Sequence, residues 1–319
     1  MSAMVTGGTG FIGAALVRLL LERNDEDVVA FHRNPAKKTL NDLADRITLV
    51  QGDLGIYSHV LEAIKTHRPK IIYHLGAMLT IPADSDPPAA FQSNVLGIFH
   101  ILEAARLFDV KQVLFASSIG AYGADIQSEI IDDYTVERPY TMYGVSKAFG
   151  ENLGRYYKLK YGLDFRSLRY PGIVGPGFRT PSLAQYASMI IEESAMGRPF
   201  TLQIEPDVKF PFLYVKDAAL AMIKLSQVAE SNIRMVNYIL NGIEPLQTAQ
   251  ELVDIVKSKL PEAQLTFQPD EGLIQIYRSI PKFDDRCARE EWGWQPEYDH
   301  EQMIDDFIAD LNQHPERYT

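Results

Sequence analysis

The stretch VTGGTGFIG at residues 5–13 decides how the rest of the chain is read. Gly7, Gly10 and Gly13 recur at every third position. Before them stand Met4 and Val5, which read as a strand. After them Phe11 to Arg23 carries apolar residues at helical spacing. A glycine turn between a strand and a helix opens a βαβ unit. A side chain at Gly7 or Gly10 would obstruct the tight turn or a pyrophosphate, and Gly13 lets helix and strand pack closely. The helix N-terminus adds free N–H groups and partial positive charge. The expected ligand is a dinucleotide, cradled by Gly7, Gly10, Phe11, Ile12 and Gly13.

Outward from this loop the pattern repeats. Val28 to Phe31, Ile47 to Gln51, Ile71 to Leu75, Gln112 to Ala116 and Asp164 to Arg169 read as strands. His59 to Lys65, Phe91 to Leu107 and Met142 to Lys160 read as helices. Such alternation predicts an α/β fold with a Rossmann-type, doubly wound parallel sheet. After Tyr170 the punctuation changes, with Pro171, Gly172, Gly175, Pro176, Gly177 and Pro181 close together. The expected layout is a dinucleotide-binding domain over 1–174 plus about 212–243. A smaller C-terminal substrate lobe takes about 175–211 and 244–319.

The end of the second strand distinguishes dinucleotides. NAD sites place an acidic side chain there for the ribose 2′-OH, and NADP sites accommodate a phosphate with Arg. Here the residues are His32, Arg33 and Asn34, followed by Lys37 and Lys38. This favours NADP(H) and leaves NAD open. Asp53, in QGDL, is an adenine neighbour or a helix cap.

Tyr143 and Lys147, in YGVSK, lie one helical turn apart and share a helix face. An ammonium beside a phenol lowers the phenol's pKa, which otherwise stands at about 10. Tyr156 and Lys160 repeat the spacing, so spacing alone does not choose. Ser118 does, because ASSIGAYG follows the strand Gln112 to Ala116, and open α/β sheets bind ligands at their strand ends.

These residues carry a resemblance. Through VTGGTGFIG, GDL, HLGA, ASSIGAYG, YGVSK and RYPGIVGPG the chain resembles the extended short-chain dehydrogenases/reductases of the epimerase/dehydratase type. In TMYGVSK, RYPG, LPEAQLTFQPD and FDDRCAREEWGW it is most similar to the short-chain type L-threonine 3-dehydrogenases. The resemblance implies a catalytic set of Ser118, Tyr143 and Lys147. It also implies cofactor contacts at Leu54, Leu75, Gly76, Ala77, Tyr170, Pro171 and Gly172, and at Asn94 in FQSNVLG. It implies a homodimer paired through Phe91 to Leu107 and Met142 to Lys160. There are departures. Phe210 stands where sugar-nucleotide epimerases carry a diphosphate-gripping Arg. Leu183, Ala184 and Gln185 replace polar residues that would meet an amino acid. A Trp expected before FDD is absent, and His32–Arg33 replaces an acidic cofactor residue. Arg179, Thr180, Ser182 and Arg278 are candidates to reach a substrate carboxylate or phosphate.

The expected reaction is hydride transfer between nicotinamide and a secondary alcohol or ketone of a small polar substrate. The alternatives are a nucleotide-sugar epimerase or dehydratase that retains NAD, and a redox sensor that binds NADP(H) without turnover. Composition limits the rest. The formal charge is −11, from 31 Lys+Arg and 42 Asp+Glu, which argues against nucleic acid as a partner. Cys287 is the single cysteine, so no internal disulfide forms. The seven His show no paired ligand spacing, so no metal is expected. No apolar run is long enough to span a bilayer, and the N-terminus lacks the charge order of a signal peptide. The expected setting is cytoplasmic.

Overall fold

The computed structural model describes residues 2–24, 27–34, 38–123, 125–180, 182–278 and 280–318, so Lys37 and Pro181 lie outside the described residues. The chain opens with β1 (Ala3–Thr6), the glycine turn and α1 (Phe11–Asn24). It continues through β2 (Val28–His32), β3 (Thr48–Gln51), α2 (Tyr57–His67) and β4 (Ile71–His74). Two short helices follow, α3 (Thr80–Ser85) and α4 (Pro87–Ala90). A π-helical turn over Phe91–Leu96 then leads into α5 (Gly97–Leu107). Where sequence periodicity predicts one helix over Phe91–Leu107, the first part is therefore wound more loosely. Apolar spacing does not report that difference. Pro87 and Pro88 sit in the first turn of α4, and Asp86 caps it by accepting from the Ala89 N–H at 3.0 Å.

The next elements are β5 (Gln112–Ser118), β6 (Ile130–Ile131), α6 (Met142–Tyr161) and β7 (Asp164–Tyr170). Thr141 caps α6 by accepting from the Gly144 N–H, and Gly162 ends it in the left-handed region. The remainder runs β8 (Gly172–Val174), α7 (Gln185–Ala195), β9 (Phe200–Leu202), β10 (Phe212–Tyr214), α8 (Val215–Gln227) and β11 (Asn237–Ile239). It closes with α9 (Ala249–Lys259), β12 (Leu265–Phe267), α10 (Glu271–Arg278), β13 (Lys282–Phe283), α11 (Arg286–Trp292) and α12 (His300–Gln313). A capping box at Thr248 and Glu251 starts α9, and one at Asp299 and Gln302 starts α12.

Seven strands form one parallel sheet in the order β11-β7-β5-β4-β1-β2-β3. Strand order reverses between β1 and β4, the crevice where open α/β sheets take ligands. One face is covered by α1 and α8, whose Leu16, Leu20, Ala218 and Met222 are buried in one core. The other is covered by α2, α5 and α6, with Ile64, Ile101 and Tyr157 in a second core. The β5–β7 register puts Ser118 level with Tyr170. Beyond the sheet, β8 pairs with β10, β9 with β12 and β6 with β13. The last turns come back to the glycine-loop side, where Arg317 pairs with Asp42 at 2.9 Å. Among the described residues no helix is long and apolar enough to cross a membrane.

Candidate active site

A cleft of about 1910 Å³ runs along the C-terminal ends of the strands. At one end lies the glycine turn. Gly7 has φ +67°, and a Cβ there would stand 2.9 Å from Gly76 Cα. A Cβ on Gly13 would fall 2.1 Å from the Gly7 carbonyl oxygen. Only residues without side chains let β1, α1 and the end of β4 meet this closely. Gly7, Gly10, Phe11, Ile12, Gly13, Leu75, Gly76 and Ala77 all line the cleft, as do Asp53 and Leu54. Asp53 serves both expectations: it faces the cleft, and its Oδ1 accepts from the Gly55 N–H at 2.8 Å.

At the end of β2, His32 is 7% exposed, and its Nδ1 has no hydrogen-bond partner. Such an orphaned buried atom on a cleft wall fits a ligand group that completes it. The exposed Arg33 is also a lining residue, with no acid on the end of β2. Glycine cradle, helix N-terminus and unfilled His32 together fit a dinucleotide laid across the crevice.

In the middle of the cleft stand Ser118, Tyr143 and Lys147. Ser118 ends β5, and its Oγ accepts from the Gly120 N–H at 3.0 Å. A Cβ on Gly120 would lie 3.3 Å from Ser118 Oγ and 3.6 Å from Tyr143 Cδ1, so the two side chains meet there. A Cβ on Gly144 would lie 2.1 Å from the Gly120 carbonyl oxygen. This contact brings the start of α6 onto the strand end, a role the motif reading missed although YGVSK contains the glycine. Lys147 is 4% exposed. Its Nζ donates to the Ala116 carbonyl at 2.6 Å and lies 5.3 Å from the Tyr143 ring centroid.

Burial pushes the Tyr143 phenol up to about 12, opposed by hydrogen bonding with Ser118. Burial also pulls Lys147 down to about 7, against the attraction of Glu151. The expectation that the ammonium lowers the phenol's pKa is not met: burial raises it, and only the hydrogen bond with Ser118 opposes the rise. Beside them His74 is held neutral, down to about 3, by burial and by Lys147. Its Nδ1 bonds Thr6 Oγ1 at 2.7 Å. Tyr156 and Lys160 are not among the cleft residues.

Behind the cleft is a cluster with no counterpart in the sequence reading. Arg169 on β7 donates to Glu151 and Glu137 and to the Tyr122 hydroxyl. Asp133 lies 3.9 Å away. Ser117 donates to Glu151. Glu151 follows Lys147 by one turn of α6, the one signal that could have exposed it. Burial and Glu151 push Glu137 up to about 8, and burial pushes Asp133 up to about 7.

The remaining expected residues divide. Tyr170, Pro171 and Gly172 line the cleft, and Tyr170 donates to the Ala218 carbonyl at 2.7 Å. Asn94 is not a lining residue. Its amide bonds Met78 N and O at 2.8 and 2.9 Å and Ser146 Oγ at 3.3 Å, so it ties the cleft wall to α6. Thr180 and Ser182 line the cleft. Arg179 does too, but its guanidinium is paired with the carboxylate of Glu192. Arg278 falls outside, paired with Glu205 at 2.8 Å. Helical spacing did not reveal that it leaves α10 away from the cleft. Phe210 is 7% exposed, with ring centroids 5.1 Å from Phe212 and 6.0 Å from Tyr277.

Comparison with known proteins bears on the family and the fold. Residues 3–237 match the profile of the NAD-dependent epimerase/dehydratase family. The mitochondrial L-threonine 3-dehydrogenase of Bos taurus is 29% identical over 306 residues, covering 94% of this chain and 80% of that protein. The GalE-like L-threonine dehydrogenase of Cupriavidus necator, in its holo form, superposes with a TM-score of 0.87. It is 27% identical, over 98% of this chain and 100% of that one. The UDP-glucose 4-epimerase of Thermus thermophilus, in complex with NAD, gives a TM-score of 0.81. It is 25% identical, over 98% and 99%.

Proposed function

This chain belongs to the NAD-dependent epimerase/dehydratase family, and from that premise we propose that it interconverts a secondary alcohol and a ketone by hydride transfer at Ser118, Tyr143 and Lys147. The carrying observation is that Ser118 and Tyr143 meet at Gly120, with Lys147 buried beside them, in the cleft that holds the glycine cradle. The glycine turn, His32, Asp53 and the Tyr170–Gly172 segment would hold a dinucleotide, whose nicotinamide would supply or accept the hydride. The phenol at about 12 is protonated over the neutral range, so it is set to deliver a proton to a carbonyl oxygen. The Ser118 hydroxyl steadies that oxygen. Lys147 stands beside the Tyr143 ring and, when protonated, would favour ionisation of the phenol; its tie to Ala116 fixes α6 against β5.

Tyr143→Phe tests this. Turnover is expected to fall by about 10³-fold, with cofactor affinity, followed by fluorescence titration, nearly unchanged. Full retention of function would instead favour a non-catalytic sensor.

The family is NAD-dependent; the finer proposal is that the site also takes the 2′-phosphate of NADP(H) on Arg33. Arg33→Ala should weaken NADPH binding by about tenfold and leave NADH binding unchanged. Equal loss for both cofactors would remove Arg33 from that role. The cytoplasmic setting and the division into a cofactor domain (1–174 and 212–243) and a substrate lobe belong to the same reading. So does a homodimer, supported by the exposed Phe99 on α5 and Phe149 and Tyr156 on α6 and checked by sedimentation equilibrium.

A further inference from the structure

The sequence reading expects a small polar substrate; the walls of the cleft argue for a different class. On the Ser118 side, Ile119, Ile131 and Phe283 face the cleft, backed by a small apolar core that includes Tyr122 and Ile239. Leu183, Phe210 and Tyr277 also line the cleft. Phe210 packs edge-on to Tyr277 and presses against Gly172, where a Cβ would stand 2.7 Å from the Phe210 ring. Tyr277 donates to the Leu183 carbonyl at 2.5 Å, so its hydroxyl is already engaged and its ring forms the wall.

The charges complete the picture. Among the described lining residues, Arg18 is paired with Asp42, Arg23 with Glu297, Arg179 with Glu192, Lys216 with Asp306, and Arg317 with Asp310 and Asp42, while Lys147 is buried with its Nζ donating to the Ala116 carbonyl. Arg33 is at the far end, beyond the glycine turn. A substrate carboxylate or diphosphate in this part of the cleft would lose water without gaining an exposed, unpaired cation, since Lys147 is buried against the Ala116 carbonyl. Thr180, Ser182 and Gln185 offer only uncharged hydrogen bonds.

Resting on the hydride-transfer reading above, we propose that the substrate is an uncharged aryl-alkyl ketone or its secondary alcohol, with its ring between Phe210, Tyr277 and Phe283. In the oxidative direction the carbinol C–H and O–H bonds break and C=O forms. The hydride would pass to oxidised nicotinamide and the alcohol proton to Tyr143 as phenolate, the phenol having first released its own proton to solvent.

The test compares two secondary alcohols, 4-phenyl-2-butanol and L-threonine, as substrates of the purified protein with NADP⁺ and NAD⁺. UDP-glucose epimerisation is assayed alongside. Oxidation of 4-phenyl-2-butanol is expected with kcat/KM at least about 100-fold above that for L-threonine. Phe210→Arg should lower it by at least about 30-fold, and Phe210→Leu should hold it within about threefold. Faster turnover of L-threonine or UDP-glucose would overturn the substrate class and leave hydride transfer standing. Where no alcohol turns over, calorimetry with 4-phenyl-2-butanone and NADPH separates the two claims. Binding tighter than about 1 mM, lost in Phe210→Arg, would uphold the apolar pocket and overturn the hydride-transfer reading. Absence of both turnover and binding would overturn the inference.

Discussion

Two buried cations lie on neighbouring elements and fare in opposite ways. Arg169 on β7 is surrounded by Glu151, Glu137, Asp133 and the Tyr122 hydroxyl, and its guanidinium hydrogen bonds are spent on them. Lys147 on α6 has one backbone carbonyl and two aromatic faces. The first site has more acid than base, and it resolves the excess by holding protons on Glu137 and Asp133. The second has a base without a hydrogen-bonded acid, and it resolves the deficit by loosening the ammonium's own proton. A saturated buried charge braces the scaffold. An under-compensated one, set against a cleft, is available for chemistry. Glu151 stands between them, fixed to Arg169 while its field reaches Lys147.

The contrast can be broken by substitution. Arg169→Met should destabilise the fold by about 3–5 kcal/mol, because it strands buried carboxyls. Urea unfolding measures this, and a change below about 1 kcal/mol would mean that the cluster is not a brace. Lys147→Met should do the reverse: stability is held or raised, while kcat falls about 100-fold, or about 2.7 kcal/mol in barrier. A matching loss of stability would erase the distinction between the two sites.

The subtlest effect is in pH. Glu137 titrates near 4.5 when unfolded and near 8 when folded. Its stabilising contribution is complete below about 4.5 and is lost as pH rises through about 8. Lys147 has the opposite sense: its cost grows as pH falls from about 10.5 to about 7. Glu137→Gln should therefore flatten the decline of stability between pH 5 and 8 and leave the alkaline limb in place. An unchanged slope would show that Glu137 does not hold that proton.

Much of this site was legible in the chain. VTGGTGFIG is a local instruction, since the absent side chains at Gly7 and Gly13 are needed wherever a strand turns tightly into a helix. Tyr143 and Lys147 on one helix turn follow from periodicity, but Tyr156 and Lys160 share that spacing, so the choice between the pairs rests on Ser118 at its strand end. Less was legible where partners come from distant segments. Asn94 was expected at the cofactor, and it holds Met78 to α6 instead. Arg179 and Arg278 read as open cations, yet Glu192 and Glu205 claim them. Nothing in the spacing of RYPG marks Arg169 as the centre of a buried cluster.

The division has a physical cause. Turns, caps and helix faces depend on backbone geometry over a few residues, so the sequence by itself determined the Rossmann-like fold and the order of its candidate site residues. Charge compensation and wall chemistry depend on which distant side chains share a low-dielectric space. Only the tertiary structure therefore decided that Lys147 is left under-partnered, that Arg169 is saturated, and that Phe210, Tyr277 and Phe283 line the same cleft as Tyr143.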